Sequence, residues 1–446
     1  MNTKIPPGSE SPYFWQLLQI LFKPTDSLDR WSHEYGDTLI LGGKRKPYTV
    51  SFSSPEAIRT VLNASPEIIG YVQKSELVKS LLGENALIFL PEQEHQRQRK
   101  FIVPSFHQTS LLKCGQEIID VTINTISKLN VEKSFKVRSV MKEISLEVIV
   151  RSIFGKQDSS TSREFSSTIV EIFNLFDSPV FGVYLLTTRL IPVFSKWETN
   201  IWKKYRNLQL KLRKLVDNEI TKHRNSDYNE ENLFSLLTFA RDENGQQMTN
   251  QEIYDALLTL VFAGFETAAA AMSWMLYWVH FIPEVKNKLT EEISVKDIEL
   301  AKIIRLPYLN AVCNETLRIT PPAISAFSRT VKQDIEIEGY NLEPGTNIDI
   351  SIYLAHRRKS IYPEPEKFKP ERFLQKQFSQ YEYLPFGGGS CRCIGASLAQ
   401  YEMRIVLATI LNNFELEIVN PKLLKPKRHG IVMIPPKLMM KRLYKQ

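Results

Sequence analysis

A long apolar stretch in the second half of the chain places the strongest constraint on its fold. It starts at Thr249, which opens a capping box, and runs to about Phe281. Within positions 256–281 the only charged residue is Glu266. A helix that is apolar on every face must be buried. We therefore predict a helix of about 45 Å, at 1.5 Å per residue, that crosses the interior of the molecule.

Two residues in the middle of this helix are costly where they stand. In a helix interior Gly264 makes the helix about 1 kcal/mol less stable than alanine would. Burying the carboxylate of Glu266 in apolar surroundings also destabilises the fold unless the charge is paired. Thr267 can turn its hydroxyl to the carbonyl four residues back and make room for water or a diatomic ligand. This pattern predicts a flat ligand against Gly264 and a proton relay through Glu266 and Thr267. A close helix crossing at Gly264, with Glu266 in an internal salt bridge, is the alternative.

A glycine-rich loop near the carboxyl end contains two cysteines. The three glycines 387–389 carry no Cβ, so the backbone can take positive φ angles and approach a flat ligand. The helix predicted over 396–413 points its positive end at Cys393, which predicts a lowered thiol pKa and a thiolate available to a metal. A zinc site needs two further soft ligands at short spacing, and the other two cysteines are isolated. A purely structural role of Cys391 and Cys393 is the alternative.

Two further segments place charged side chains one helical turn apart. His95 and Arg99 point the same way on a predicted helix, a spacing that suits two carboxylates. An exposed basic helix face is the alternative for this pair. Glu315 and Arg318 can pair across one face of another helix, which in isolation is a common surface feature.

Taken together, these motifs closely resemble those of the cytochrome P450 family. The haem-binding loop of that family is matched at Phe386, Gly389, Cys393 and Gly395. Its acid–alcohol motif is matched at all five positions of 263–267. The resemblance covers nearly the whole chain, because the motifs occur in the family's order.

The resemblance implies a site for haem b with Cys393 as the metal ligand. The spacing to Phe386 and Gly395 favours this cysteine over Cys391, which stands where the family has the Arg or His that contacts a haem propionate. The further residues that the resemblance places at the cofactor are His95, Arg99 and Arg329 at the propionates, with Phe386 and Gly264 against the ring. Arg372 would complete a buried network with the Glu315 and Arg318 pair behind the loop.

The implied activity is that of a haem-thiolate monooxygenase with Thr267 and Glu266 as the catalytic residues. One oxygen atom from O2 would be inserted into a C–H bond of a lipophilic substrate, either a fatty acid, an alkane or a terpenoid. Electrons would come from a ferredoxin or flavodoxin with its reductase, since the sequence shows no module of that kind. The alternatives are a peroxide-using haem-thiolate enzyme or isomerase, and a non-enzymatic haem sensor. The predicted pocket lining is 86–90, 173–194, 261–263, 324–327 and 430–432.

The expected fold is mainly α with a small β subdomain, in which the haem lies between the long helix and the cysteine loop. We expect one domain over 1–446, with β-rich portions near 36–53, 328–352 and 414–435. The segment 173–194, rich in Phe, Leu, Ile and Val, is predicted as a core helix pair or a lid facing the substrate.

Composition narrows the cellular setting. Four cysteines without a framework pattern and an amino terminus without a signal-peptide layout predict a cytoplasmic protein. The apolar run Tyr13 to Phe22 is about half the length of a bilayer span, so we expect no transmembrane anchor, although this run could touch a membrane surface. The net charge of +8 suits an acidic partner, but the bases are scattered, so we expect no nucleic acid partner. A monomer is expected.

Overall fold

The computed structural model describes residues 5–43, 47–71, 82–83, 85–87, 90, 92–106, 108–155, 160–176, 200–225, 232–294, 300–326, 328–430 and 432–444. Helices dominate these residues. They are α1 (Tyr13–Phe22), α2 (Pro24–Tyr35), α3 (Pro55–Asn63), α4 (Glu92–Ile102), α5 (Gln108–Ser127), α6 (Val137–Phe154), α7 (Ser160–Phe176), α8 (Asn200–Asn225), α9 (Leu233–Phe239), α10 (Asn250–Phe281), α11 (Pro283–Ile293), α12 (Leu300–Ile303), α13 (Pro307–Ile319), α14 (Ile352–Ala355), α15 (Arg372–Gln375) and α16 (Ala396–Asn413).

The strands are short and form small sheets. They are β1 (Thr38–Leu41), β2 (Thr49–Phe52), β3 (Ile69–Tyr71), β4 (Ser134–Lys136), β5 (Arg329–Val331), β6 (Ile335–Ile337), β7 (Tyr340–Leu342), β8 (Asn347–Ile350), β9 (Glu415–Ile418), β10 (Lys427–His429), β11 (Val432–Ile434) and β12 (Met439–Leu443). The largest sheet has the order β1-β2-β8-β5-β3, and in it only β2 and β8 run parallel. A three-stranded sheet, β4-β12-β9, and the hairpins β6-β7 and β10-β11 complete the β content that the structure describes.

The architecture confirms the predicted mainly α fold with minor sheets. The predicted β-rich portions contain β1, β2 and β5 to β11, whereas β3, β4 and β12 lie outside them. The segment predicted over 173–194 is helical to Phe176, and its remainder lies outside the described residues. Helix α2 was not predicted, because its twelve residues are largely polar and begin with a proline.

Helix α10 is the predicted central helix. Its capping box is formed in both directions, since the backbone N–H of Glu252 donates to Thr249 Oγ1 at 3.2 Å and the N–H of Thr249 donates to Glu252 Oε2 at 2.7 Å. The helix packs against α6, α13 and α16. It is long and apolar enough to cross a membrane, yet 72% of its most apolar window is buried inside the protein. It is therefore a core helix, as the all-round apolar pattern predicts.

The cysteine loop joins two hydrophobic cores. The larger core is helical and contains α10 and the apolar side of α16, including Leu398. The smaller core lies between the five-stranded sheet and α3, and includes Phe52, Ile58 and Leu384. The chain leaves the smaller core at Leu384, passes through the loop and enters the larger core along α16.

Candidate active site

The three glycines of the loop are required by its backbone and by its neighbours. Gly387 and Gly389 have φ angles of +67° and +65°, a region that side chains disfavour. Gly388 lies against α3, where an added Cβ would come within 2.5 Å of Leu62 Cδ1. The loop does take the positive φ angles that its glycines were predicted to allow. A bulkier loop could not lie this close to α3.

The thiol of Cys393 lies in a recess. The residue is exposed, yet burial in the surrounding protein is the largest effect on its thiol and raises the pKa. The backbone N–H of Gly395 and the charges of Arg99 and Arg392 lower the pKa by less. The lowered pKa predicted from the helix end is therefore wrong for the uncoordinated thiol, because that argument ignored desolvation. A bound metal cation would remove the proton outright.

The other cysteines do not extend this site. Within the described ranges, no three His, Cys, Asp or Glu side chains come together as a metal centre. Cys114 is half-buried in α5 and Cys313 is buried in α13. The backbone N–H of Cys393 donates to the carbonyl oxygen of Phe386 at 2.9 Å, which closes the loop around the thiol. The arrangement offers a metal one thiolate, as a haem iron requires, and gives no support to zinc.

Helix α4 brings two bases to the loop. Nη1 of Arg99 donates to the carbonyl oxygen of Arg392 at 2.8 Å, and His95 Nε2 lies 4.0 Å from the sulfur of Cys391. His95 is only 6% exposed, which excludes the alternative of a solvated basic face at this residue. Arg97, between them, forms ion pairs elsewhere, with Asp242 and Glu252 at 2.8 Å each.

Arg329 is buried in the five-stranded sheet. It is the first residue of β5, is 5% exposed and stands in register with Ile348 of β8 and Tyr71 of β3. Its implied contact with a haem propionate stays a prediction.

One strip of α10 faces a recess although the helix runs through the core. Ala263 is exposed, and Leu260, Gly264 and Thr267 are half-buried, whereas Phe265 is buried. The spacing of three and four residues puts the open positions on one side of the helix. This side is apolar except for the Thr267 hydroxyl, so it suits a flat or lipophilic group.

Thr267 has the predicted hydrogen bond. Its Oγ1 donates toward the carbonyl oxygens of Ala263 and Gly264, at 2.7 and 3.0 Å. At Gly264 an added Cβ would come within 2.6 Å of Ile149 Cδ1 in α6, so the close helix crossing considered as the alternative is present. The implied contact of Gly264 with the haem ring stays a prediction.

Glu266 is held by two cations that sequence reasoning missed. Its carboxylate is 2.7 Å from Arg138 Nη2 and 2.5 Å from Lys142 Nζ, both on α6. The internal salt bridge considered as an alternative is therefore present. The signal available in the sequence was that a buried acid needs a partner. Two bases four residues apart, at the start of a helix that is otherwise largely buried, were candidates.

A buried ionic network supports the loop from behind. Arg318 donates from Nε and Nη2 to the two carboxylate oxygens of Glu315, at 2.7 and 2.8 Å, and Arg372 Nε adds a third contact at 3.1 Å. Arg318 also donates to the carbonyl oxygen of His356 at 2.9 Å. Burial lowers the pKa of His356 to about 3, so its neutral Nε2 accepts the backbone N–H of Leu384 at 3.0 Å. The predicted Glu-Arg-Arg network is confirmed as a geometry that reaches the loop.

Comparison with known proteins agrees with this geometry. The family model described as Cytochrome P450 matches residues 5–442. A putative cytochrome P450 135B1 of Mycobacterium bovis is 28% identical over 97% of this chain and 89% of its own length. A putative cytochrome P450 137 of Mycobacterium tuberculosis is 30% identical over 80% of this chain and 72% of its own length.

A solved structure shows the same fold. The retinoic acid-bound cyanobacterial CYP120A1 superposes with a TM-score of 0.82 at 22% identity, over 99% of each chain. Proteins of this family bind haem and use O2, an organic substrate and redox partners. Three findings agree for this chain. They are the Cys393 thiol in the glycine loop, the recess along α10 and the family match over residues 5–442. This chain belongs to the cytochrome P450 family of haem-thiolate monooxygenases.

Proposed function

We propose that this monooxygenase inserts one oxygen atom from O2 into a C–H bond of a lipophilic substrate, either a fatty acid, an alkane or a terpenoid. The observation that carries the proposal is the open strip of α10, formed by Leu260, Ala263, Gly264 and Thr267. No charged side chain lies on this strip, since Glu266 turns to Arg138 and Lys142 instead. A pocket bounded by such a strip favours apolar substrates over ionic ones.

The residues at the loop fit haem b. Cys393 offers a single thiol from a recess, and the glycine loop presents backbone rather than side chains. His95, Arg99 and Arg329 supply the bases that we assign to the two propionates. When bound, haem b with a thiolate ligand supplies the redox chemistry that activates O2.

We assign proton delivery to Thr267 and Glu266. The Thr267 hydroxyl stands on the recess side of α10, and its oxygen can accept a hydrogen bond from a water there. Glu266 is one residue before Thr267 and about 100° away around the helix, where α6 holds its carboxylate. The acid must leave its cations before it can protonate a group beside Thr267. The ion pairs therefore control when Glu266 can deliver a proton.

A ferredoxin or flavodoxin with its reductase is the proposed electron source. The net charge of +8 and the exposed Arg392 beside the cysteine loop suit an acidic partner. Electron transfer should slow as salt is raised, because screening weakens such docking. A rate that does not change with salt would contradict this partner assignment.

The decisive experiment is the absorption spectrum of the reduced, carbon monoxide-bound protein. Wild type and Cys391→Ser should both show the thiolate signature, and Cys393→Ser should lose it while keeping the fold. A colourless wild type after haem supplementation, or a signature that survives in Cys393→Ser, would overturn the assignment.

The substrate class can be tested by spectral titration. Laurate and a sesquiterpene represent the proposed classes, and retinoic acid is a third probe because it is bound in the cyanobacterial structure. Binding of at least one probe is expected. If none of them perturbs the haem spectrum, the lipophilic assignment fails.

The cytoplasm is the proposed location. All four cysteines lie in the part of the chain that the structure describes, and none of them is joined in a disulfide there, as expected in a reducing compartment.

A further inference from the structure

Helix α1 differs from an ordinary surface helix in that it buries a glutamine and exposes aromatic side chains. Its polar Gln16 is fully buried, and Nε2 of this residue donates to the carbonyl oxygens of Ser9 and Ser11 at 3.0 and 2.8 Å. Gln16 Oε1 accepts the backbone N–H of Gly42 at 3.0 Å. The inward face is therefore fixed by the polar contacts of Gln16 together with Ile20, which packs against the core cluster of Leu28 and Trp31.

The outward face of α1 is aromatic. Phe14, Trp15 and Phe22 are 47%, 58% and 75% exposed, and Leu18 between them is half-buried. Their spacing places all four on one side of the helix. A solvated helix normally shows polar side chains there, and a contiguous exposed apolar patch marks an interaction surface. Trp and Phe of this kind are typical of a surface in contact with the lipid interface.

Exposed lysines lie near α1. The segment 422–428 runs next to α1, since β10 packs beside the helix and Arg428 Nη1 donates to the carbonyl oxygen of Ile20 at 3.4 Å. In this segment Leu423 is 71% exposed. Lys425 pairs with the exposed Asp26 of α2 at 3.0 Å. The exposed lysines at this end of the molecule are Lys23, Lys422, Lys425 and Lys427.

We propose that α1 and the segment 422–428 together form a surface that binds an anionic phospholipid bilayer. The aromatic side chains of α1 enter the headgroup boundary, and the lysines neutralise lipid phosphates. Ten residues are too few to span a bilayer, so the helix lies in the plane of the interface. Exposed lysines on a segment in contact with an aromatic helix favour this occupant over an uncharged protein groove. The proposal does not depend on which substrate is oxidised.

The test is co-sedimentation of the haem-loaded protein with vesicles. Vesicles of equimolar phosphatidylglycerol and phosphatidylcholine should bind the protein, less so as salt rises, and vesicles of phosphatidylcholine alone should bind it more weakly. Replacing Phe14, Trp15 and Phe22 by serine should weaken binding at least about tenfold. Each exposed lysine of 422–428 changed to Gln should weaken it roughly fivefold. Leu210→Ser removes a side chain that is 56% exposed on α8 and should change nothing.

A second measurement does not depend on how the triple variant folds. Trp15 fluorescence should be quenched by brominated lipids, and Trp15→Leu should keep vesicle binding but lose that part of the quenching. Equal binding by wild type and a folded triple variant would overturn the proposal. The proposal would also be overturned if wild type formed a dimer without lipid and the triple variant stayed monomeric, since a second copy of the chain would then cover this face. Neither result depends on oxygenase activity, so failure here leaves the proposed function intact.

Discussion

Arg99 and Arg392 are joined by a hydrogen bond in which the Arg99 guanidinium donates to the Arg392 carbonyl oxygen at 2.8 Å. The contact ties α4 to the cysteine loop one residue before the thiol. Removing a hydrogen bond from a charged group costs roughly 1.5–3 kcal/mol. We expect Arg99→Ala to release haem to apomyoglobin at least about tenfold faster than wild type. Lys100→Ala is the matched control, because Lys100 pairs with Glu243 at an exposed site. Equal release rates for Arg99→Ala and Lys100→Ala would contradict the assignment.

Thr267 is the polar group on the open strip of α10. Thr267→Ala should lower the product formed per O2 consumed by roughly 10- to 100-fold, because the hydroxyl that positions a proton source is gone. Thr267→Ser keeps the hydroxyl and should stay near wild type. The measurement compares product, peroxide and O2 in the reconstituted system. Full turnover by Thr267→Ala would revive the peroxide-using alternative.

The two cations on Glu266 should act together on stability. Arg138→Met alone leaves Lys142 beside the carboxylate and should lower the free energy of unfolding by about 1–2 kcal/mol. Adding Lys142→Met should lower the free energy of unfolding by more than Arg138→Met does alone. The Glu266 carboxylate is then buried without a partner, which costs roughly 3–5 kcal/mol. Introducing Glu266→Gln into this double variant should recover much of the loss. Urea unfolding of the series measures each step, and strictly additive losses would count against the coupling.

Glu402 of α16 is an acid buried between helices, at 3% exposure. Burial raises the pKa of its carboxyl to about 7, and a hydrogen bond with Ser145 of α6 lowers it by less. In the folded state the carboxyl therefore keeps its proton between about pH 4.5 and 7, whereas in the unfolded chain it has lost it. Its contribution to stability falls as the pH rises through this window.

Glu402→Gln keeps the shape without the charge. At pH 8 this variant should be more stable than wild type by roughly 3 kcal/mol, and near pH 4.5 the difference should be small. Comparing the two proteins at each pH cancels all other titrations. The check is urea unfolding at several pH values, and a constant difference between pH 5 and 8 would rule out this ionisation.

Much of the fold could be predicted because strong local signals agreed with it. An apolar run with one acid had to be the core helix, and three glycines before Cys393 had to form a loop with positive φ angles. The buried partners of Glu315 followed from the family motif. In the first two cases a short segment determines its own conformation.

The site was less predictable where packing against a neighbouring helix decides which way a side chain points. Glu266 sits on the same turn as Thr267, but helix packing turns it toward α6, and sequence spacing alone could not say which face meets α6. The predicted direction of the Cys393 pKa shift was wrong for a similar reason, since desolvation depends on surroundings that distant residues supply. Strands β3 and β4 have three residues each and pair with strands distant in sequence, whereas the equally short β6 and β7 form a hairpin whose Glu-Gly turn marks them.

The loop that leaves the smaller core at Leu384 and enters the larger core by Leu398 makes the sulfur sensitive to both. When either core melts, one end of the loop loses its anchor. Bleaching of the bound pigment on heating should therefore occur at the lower of the two melting temperatures. Any circular dichroism lost at still higher temperature would then come from the core that survives longer.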